Sequence, residues 1–206
     1  MNLPRIYPVV DDVSWVPRLA SRGVRLVQLR IKEQPEPFVR AQIEAAHAYC
    51  SAAGVQLIVN DYWQLALASG CDFVHLGQGD LESADLRALR HAHVRLGVST
   101  HDEAELERAL SVSPDYVALG PIYPTLLKVM PWAPQGLARL GEWKRRIGSI
   151  PLVAIGGITL ERLPGVFAAG ADVAAVVTDI LRASDPDERV RQWLAAADGV
   201  RERLSA

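Results

Sequence analysis

The chain has 206 residues, with 22 basic and 24 acidic side chains for a formal net charge of −2, and 50% of its residues are apolar. That balance rules out an intrinsically disordered chain, and the near-neutral charge argues against a protein that works on nucleic-acid backbones. At ~100–200 residues per domain, residues 1–206 are expected to form one domain with a small-molecule task.

The N-terminus runs directly into a strand-like segment, Ile6–Val10, without the basic start and long apolar run of a signal peptide. Further strands are predicted at Val24–Arg30, Gln56–Asn60, Phe73–Gly77, Leu96–Ser99, Tyr116–Pro121, Leu152–Gly156 and Val173–Thr178. Several are almost continuously apolar, such as Leu57-Ile58-Val59 and Ala174-Ala175-Val176-Val177, as expected when helices cover a parallel sheet. Helix signals fall between them. Thr100-His101-Asp102-Glu103 has the T-x-x-E form of a capping box. Asp185-Pro186 sets a capping carboxylate before a proline at the first helical position, and Val190, Trp193 and Leu194 follow on one face. Eight strand–helix units point to a (β/α)₈ TIM barrel with short loops, with a doubly wound open sheet as the alternative.

No stretch approaches the ~20 apolar residues of a membrane span. Cys50 and Cys71 match no disulfide framework or metal knuckle and read as small buried apolar side chains. A cytoplasmic protein without membrane or nucleic-acid partners is expected. The sequence does not decide between a monomer and a homo-oligomer.

In a βα barrel the chemistry belongs at the C-terminal ends of the strands. Those ends carry Gln28, Arg30, Lys32, Asn60, Asp61, Asp80, Ser99 and Thr125 through Lys128, then Gly156-Gly157 and Val177-Thr178. The opposite ends are mostly bland. Two anion sites can be separated on the polar rim. Arg30, Lys32 and Lys128 collect near Asp61 and Asp80, whose carboxylates end consecutive strands and could share one Mg²⁺. Three cations and such a metal suit a pyrophosphate, although salt bridges among the same residues are the alternative. Gly156-Gly157 with Val177-Thr178 occupy the place after strands seven and eight where a phosphate often sits, although a tight turn explains the glycine pair equally well. Two anion sites on one cavity suggest a transferase joining two phosphorylated small molecules. Among the histidines, His75 reads as a hydrogen-bonded core residue, and only His101 stands where an acid or base is needed.

The segments Gln28-Leu29-Arg30-Ile31-Lys32, Asn60-Asp61, His75-Leu76-Gly77-Gln78-Gly79-Asp80 and Gly97-Val98-Ser99-Thr100-His101 resemble the thiamine phosphate synthase family. So do Gly120-Pro121-Ile122-Tyr123-Pro124-Thr125, Lys128, Pro134-Gln135-Gly136 and Val153-Ala154-Ile155-Gly156-Gly157-Ile158, in family order from Tyr7 to about Ile180. The resemblance implies a (β/α)₈ barrel that joins a hydroxymethylpyrimidine diphosphate to a thiazole phosphate, releasing pyrophosphate. It implies that Gln28, Arg30, Lys32, Asn60, Ser99 and Lys128 hold the pyrimidine diphosphate, with Arg30, Lys32, Lys128 and Ser99 catalytic. Asp61 and Asp80 would ligate Mg²⁺. Thr125, Leu127, Gly157, Val177 and Thr178 would surround the thiazole phosphate. Three positions depart from the family pattern: Leu127 replaces a common threonine, Gly79 a common glutamate, and Thr178 a common serine. Two rivals are a thiazole tautomerase on the same barrel, which has no use for the diphosphate set, and a non-catalytic ligand-binding protein. The Met130–Pro134 stretch after Lys128 is expected to close over the cavity.

Overall fold

The computed structural model describes residues 3–125 and 132–205, with side chains described as far as Gly199. In chain order the elements are β1 (Ile6–Val10), α1 (Trp15–Ser21), β2 (Leu26–Leu29), α2 (Glu36–Ala53), β3 (Gln56–Asn60), α3 (Trp63–Ala68) and β4 (Phe73–Leu76). There follow α4 (Gln78–Ser83), α5 (Leu86–His91), β5 (Arg95–Thr100), α6 (Glu103–Ser111), β6 (Tyr116–Leu119) and α7 (Gly136–Ile147). The chain ends with β7 (Leu152–Ala154), α8 (Leu163–Ala168), β8 (Val173–Val176), α9 (Thr178–Leu181) and α10 (Pro186–Ser205). All strands are parallel and close into a barrel in chain order, because β1 pairs with both β2 and β8. That closure excludes the open-sheet alternative. Each predicted strand is present, but several are shorter, because the backbone leaves the ladder before the rim residues: β6 stops at Leu119 and β7 at Ala154.

Alternation along the strands divides the apolar residues into two layers. Tyr7, Val9, Leu26, Ile58, Phe73, Tyr116, Ala118, Val153, Val173 and Ala175 form one buried cluster inside the barrel. Their strand neighbours, among them Ile6, Val27, Leu57, Val74, Val98, Val117 and Leu152, pack outward against helical residues such as Ile43, Leu106, Trp143, Leu163 and Trp193. The faces Val190 and Trp193 were expected to bury are buried, with Leu194 packed beside them. The Asp185 carboxylate accepts the Glu188 N–H at 3.0 Å, capping α10 as its sequence suggests. The capping signal at Thr100 is shifted. Thr100 is the last residue of β5, and the cap of α6 is Asp102, which accepts the Glu105 N–H at 2.9 Å. Among the described residues no helix is long and apolar enough to cross a membrane.

Candidate active site

A cavity of about 590 Å³ opens over the C-terminal ends of the strands. Gln28, Arg30, Lys32, Asn60, Asp61, Asp80, Ser99, Thr125, Gly157, Val177 and Thr178 all line it. Strand parity accounts for much of this. Residues 28, 60, 99 and 177 continue the inward-facing series of β2, β3, β5 and β8, one or two steps above the apolar cluster. Leu127 and Lys128 lie outside the described residues, as do Met130 and Pro131.

The acidic edge is set by β3 and α4. Asp61 follows Asn60 with φ of 62°, a left-handed conformation that aspartate tolerates better than most residues, and its N–H donates to the His75 carbonyl at 2.9 Å. This turn aims the Asp61 carboxylate along the rim, where the Lys32 ammonium forms an ion pair with it. The salt-bridge alternative is thus realised for this pair. Asp80 sits in the first turn of α4. Burial, and then the neighbouring Asp61 carboxylate, push the Asp80 carboxyl above its ordinary range. Among the described residues no His, Cys, Asp or Glu gathers with this pair into a group of three. Two facing carboxylates match Mg²⁺, which typically takes one or two carboxylates together with waters and phosphate oxygens. Beside them, Asn60 is 5% exposed and its buried Nδ2 has no hydrogen-bond partner among the described residues. A buried amide donor left unpaired costs about 1–3 kcal/mol, so this atom is suited to an acceptor oxygen supplied by a ligand.

On the other side of the cavity the β6 and β7 loops are stitched together. Ile122 N–H donates to the Ile155 carbonyl at 2.9 Å, and Tyr123 N–H to the Gly156 carbonyl at 3.0 Å. A Cβ on Gly157 would fall 2.5 Å from the Pro124 carbonyl oxygen, so the glycine is required by this close approach. That close packing of the two loops calls for glycine whether or not the pair also meets a ligand. The short helix α9 follows β8 directly, with Val177 as its N-cap, giving the strand-eight arrangement expected of a barrel phosphate site.

Between these two sides the floor of the cavity is polar, a feature that the strand patterns alone do not reveal. Tyr7 and Tyr116 meet through their hydroxyls at 2.9 Å, and Gln28 Nε2 donates to Tyr7 at 2.6 Å. Tyr116 also meets His75 Nδ1 at 2.7 Å, and His75 Nε2 meets Ser99 Oγ at 2.8 Å. His75 is the hydrogen-bonded core histidine expected, and burial pushes its pKa down to about 4. It also lines the cavity. The inward parity of Tyr7, Gln28, His75 and Tyr116 was the one sequence signal that could have grouped them. His101 bonds Glu105 through Nδ1 at 2.7 Å and stacks on Trp132 with ring centroids 3.8 Å apart. Its ring thus lies in the cavity wall, packed and paired.

The thiamine monophosphate synthase family model matches residues 6–180. A thiamine-phosphate synthase of Rhizobium etli is 62% identical over 196 residues, covering 95% of this chain and 96% of that one. The thiamine-phosphate synthase of Salmonella typhimurium is 49% identical, covering 93% of this chain and 91% of its own. Among solved structures, the thiamine phosphate pyrophosphorylase of Pyrococcus furiosus superposes with a TM-score of 0.82 at 24% identity, covering 95% of this chain and 96% of that chain. The last likeness speaks to the fold alone.

Proposed function

The chain belongs to the thiamine monophosphate synthase family and is a transferase with thiamine-phosphate synthase activity, and on that premise we propose that it transfers the pyrimidine group of hydroxymethylpyrimidine diphosphate to thiazole phosphate by a dissociative, Mg²⁺-assisted route. The observation that carries this reading is the division of one cavity into two anion-adapted sides. Arg30, Lys32, the unpaired Asn60 Nδ2 and the Asp61–Asp80 pair form one side; Gly157, Val177 and Thr178 form the other.

Asp61 and Asp80 would hold Mg²⁺, which when bound supplies positive charge to the departing pyrophosphate. Arg30 and Lys32 add fixed positive charge at the same edge, with Lys32 exchanging its Asp61 partner for the diphosphate. Asn60 Nδ2 gains the acceptor it lacks. Lys128 is assigned to this group by likeness of sequence. These groups oppose the negative charge that develops as the C–O bond to the diphosphate breaks, and electrostatic stabilisation of that kind commonly contributes more to catalysis than any other effect. The electron-rich aminopyrimidine stabilises the methylene cation. The thiazole nitrogen then attacks from the Gly157–Thr178 side. It carries no proton, so no general base is required.

The test supplies both substrates with Mg²⁺ to the purified protein and follows thiamine phosphate and pyrophosphate together. Equimolar formation supports the reading. Thiazole isomerisation, or binding of either substrate without product, overturns it. An electron-withdrawing group on the pyrimidine should slow turnover steeply, and an unchanged rate would refute the dissociative step.

A further inference from the structure

Five side chains from five strands form one unbroken hydrogen-bonded chain across the barrel: Gln28, Tyr7, Tyr116, His75 and Ser99. Tyr7, Gln28, His75 and Ser99 line the cavity from β1, β2, β4 and β5, while Tyr116 is fully buried beneath it. The register makes the chain. His75 pairs with Gly97, and Gly97 pairs with Tyr116. A Cβ on Gly97 would fall 2.1 Å from Tyr116 Cζ, so the bare glycine lets the tyrosine ring lie across β5. There it stacks on the His75 ring at 5.5 Å with an interplanar angle of 10°.

Protons in such a chain must be counted. Each tyrosine has one to give, and neutral imidazole has one. With Gln28 Nε2 donating to Tyr7, Tyr7 must pass its proton toward Tyr116 or leave it unpaired in the core. Tyr116 then donates to His75 Nδ1. The imidazole proton therefore sits on Nε2, which donates to Ser99 Oγ. Ser99 Oγ is occupied as an acceptor, and its own proton is free to point into the cavity. A cationic His75 would donate from both nitrogens and strand a tyrosine proton. The reversed chain, with the Gln28 amide turned over, would spend the Ser99 proton on His75 and offer only lone pairs to an anionic ligand.

We propose that the chain runs from Gln28 to Ser99 with this polarity, and that His75 is a positioning residue whose Nε2–H presents Ser99 as a hydrogen-bond donor to the pyrimidine diphosphate. This rests on the proposed function for the identity of the ligand, but the polarity itself is a property of the unliganded protein. Tyr116 and Tyr7 act behind His75 by fixing its tautomer. Gly97 permits the arrangement.

The experiment has two independent arms. Imidazole ¹⁵N NMR of the unliganded protein, with the His75 signal assigned by its loss in His75→Gln, reads the tautomer. Protonated Nε2 is expected, moving toward a tautomer mixture in Tyr116→Phe; protonated Nδ1 in the wild type overturns the polarity whatever the substrate. Kinetics read the second step. His75→Leu should lower kcat by roughly 100-fold, the scale of losing an oriented donor, with KM for thiazole phosphate little changed. His75→Gln, whose side-chain amide can still donate to Ser99 Oγ, should recover part of that loss. His75→Leu with Ser99→Ala should be no worse than Ser99→Ala alone, since both remove one function. Multiplying losses would overturn the positioning role. Normal turnover in Ser99→Ala with protonated Nε2 in the spectrum would overturn the link to substrate while leaving the polarity standing.

Discussion

The indole Nε1 of Trp143 donates to Thr100 Oγ1 at 2.9 Å, and both side chains are fully buried. Thr100 Oγ1 donates in turn to the Ala118 carbonyl at 2.9 Å, so one hydroxyl ties β5 to β6 and to helix α7. Thr100→Val keeps the shape but leaves the indole N–H unpaired. A buried donor without a partner costs about 1–3 kcal/mol. Urea unfolding should show a lower midpoint with an unchanged slope; a midpoint equal to that of the wild type would contradict the bond's role.

The same threonine shows where local sequence misleads. Thr100 and Glu103 have the spacing of a capping box, and so do Asp102 and Glu105 two residues later. Only the strand's inward and outward alternation decides between them, and it sends the Thr100 hydroxyl into the core. The eight strands were legible because their apolar β-branched runs are local signals. The rim residues followed, since a barrel's strand ends converge wherever the runs stop. The Gln28–Ser99 chain was not legible, because the ladder partners of Gly97 come from β4 and β6, and register is settled only when the barrel closes. The stacking of Trp132 on His101 joins two separate loops in the same non-local way.

Cys50 and Cys71 are buried, and burial raises the first thiol to about 11 and, with the charge of Asp72, the second to about 12. At pH 8 the native thiolate fraction is then roughly one in a thousand or less. An aromatic disulfide reagent should titrate neither thiol in the folded protein and both in denaturant; rapid native reaction would contradict this burial. The linkage has a definite sign. From pH 9 upward the unfolded chain sheds thiol protons that the folded chain keeps, so stability falls as pH rises toward 11. The Cys50→Ala, Cys71→Ala double variant should lose less stability over that interval than the wild type.

Asp80 is held near Asp61 at a cost in the unliganded protein, since burial and the facing carboxylate both disfavour its charge. Asp80→Asn removes that repulsion. Without metal it should unfold at an equal or higher denaturant concentration than the wild type, while turnover with saturating substrates and Mg²⁺ falls by about 100-fold or more. Loss of stability with activity retained would reverse the assignment and make Asp80 a structural residue.

Gly157 takes φ of 64° and faces both Tyr123 and Pro124, where a Cβ would lie 2.8 Å from the Tyr123 Cβ and 2.5 Å from the Pro124 carbonyl oxygen. Alanine there incurs ~1–2 kcal/mol for the left-handed backbone and must also push the β6 loop away. That loop carries Thr125, which lines the cavity with Gly157, whereas Arg30, Asn60 and Asp61 are held by β2 and β3 and their ends. The disturbance should therefore divide the two substrates. In Gly157→Ala, KM for thiazole phosphate should rise about 10-fold, equivalent to ~1.4 kcal/mol of lost binding, with KM for the pyrimidine diphosphate nearly unchanged. Initial rates with each substrate varied at saturating levels of the other decide the matter. An equal rise in both constants would mean that the glycine supports the barrel rim as a whole and that the two anion sites are not separable.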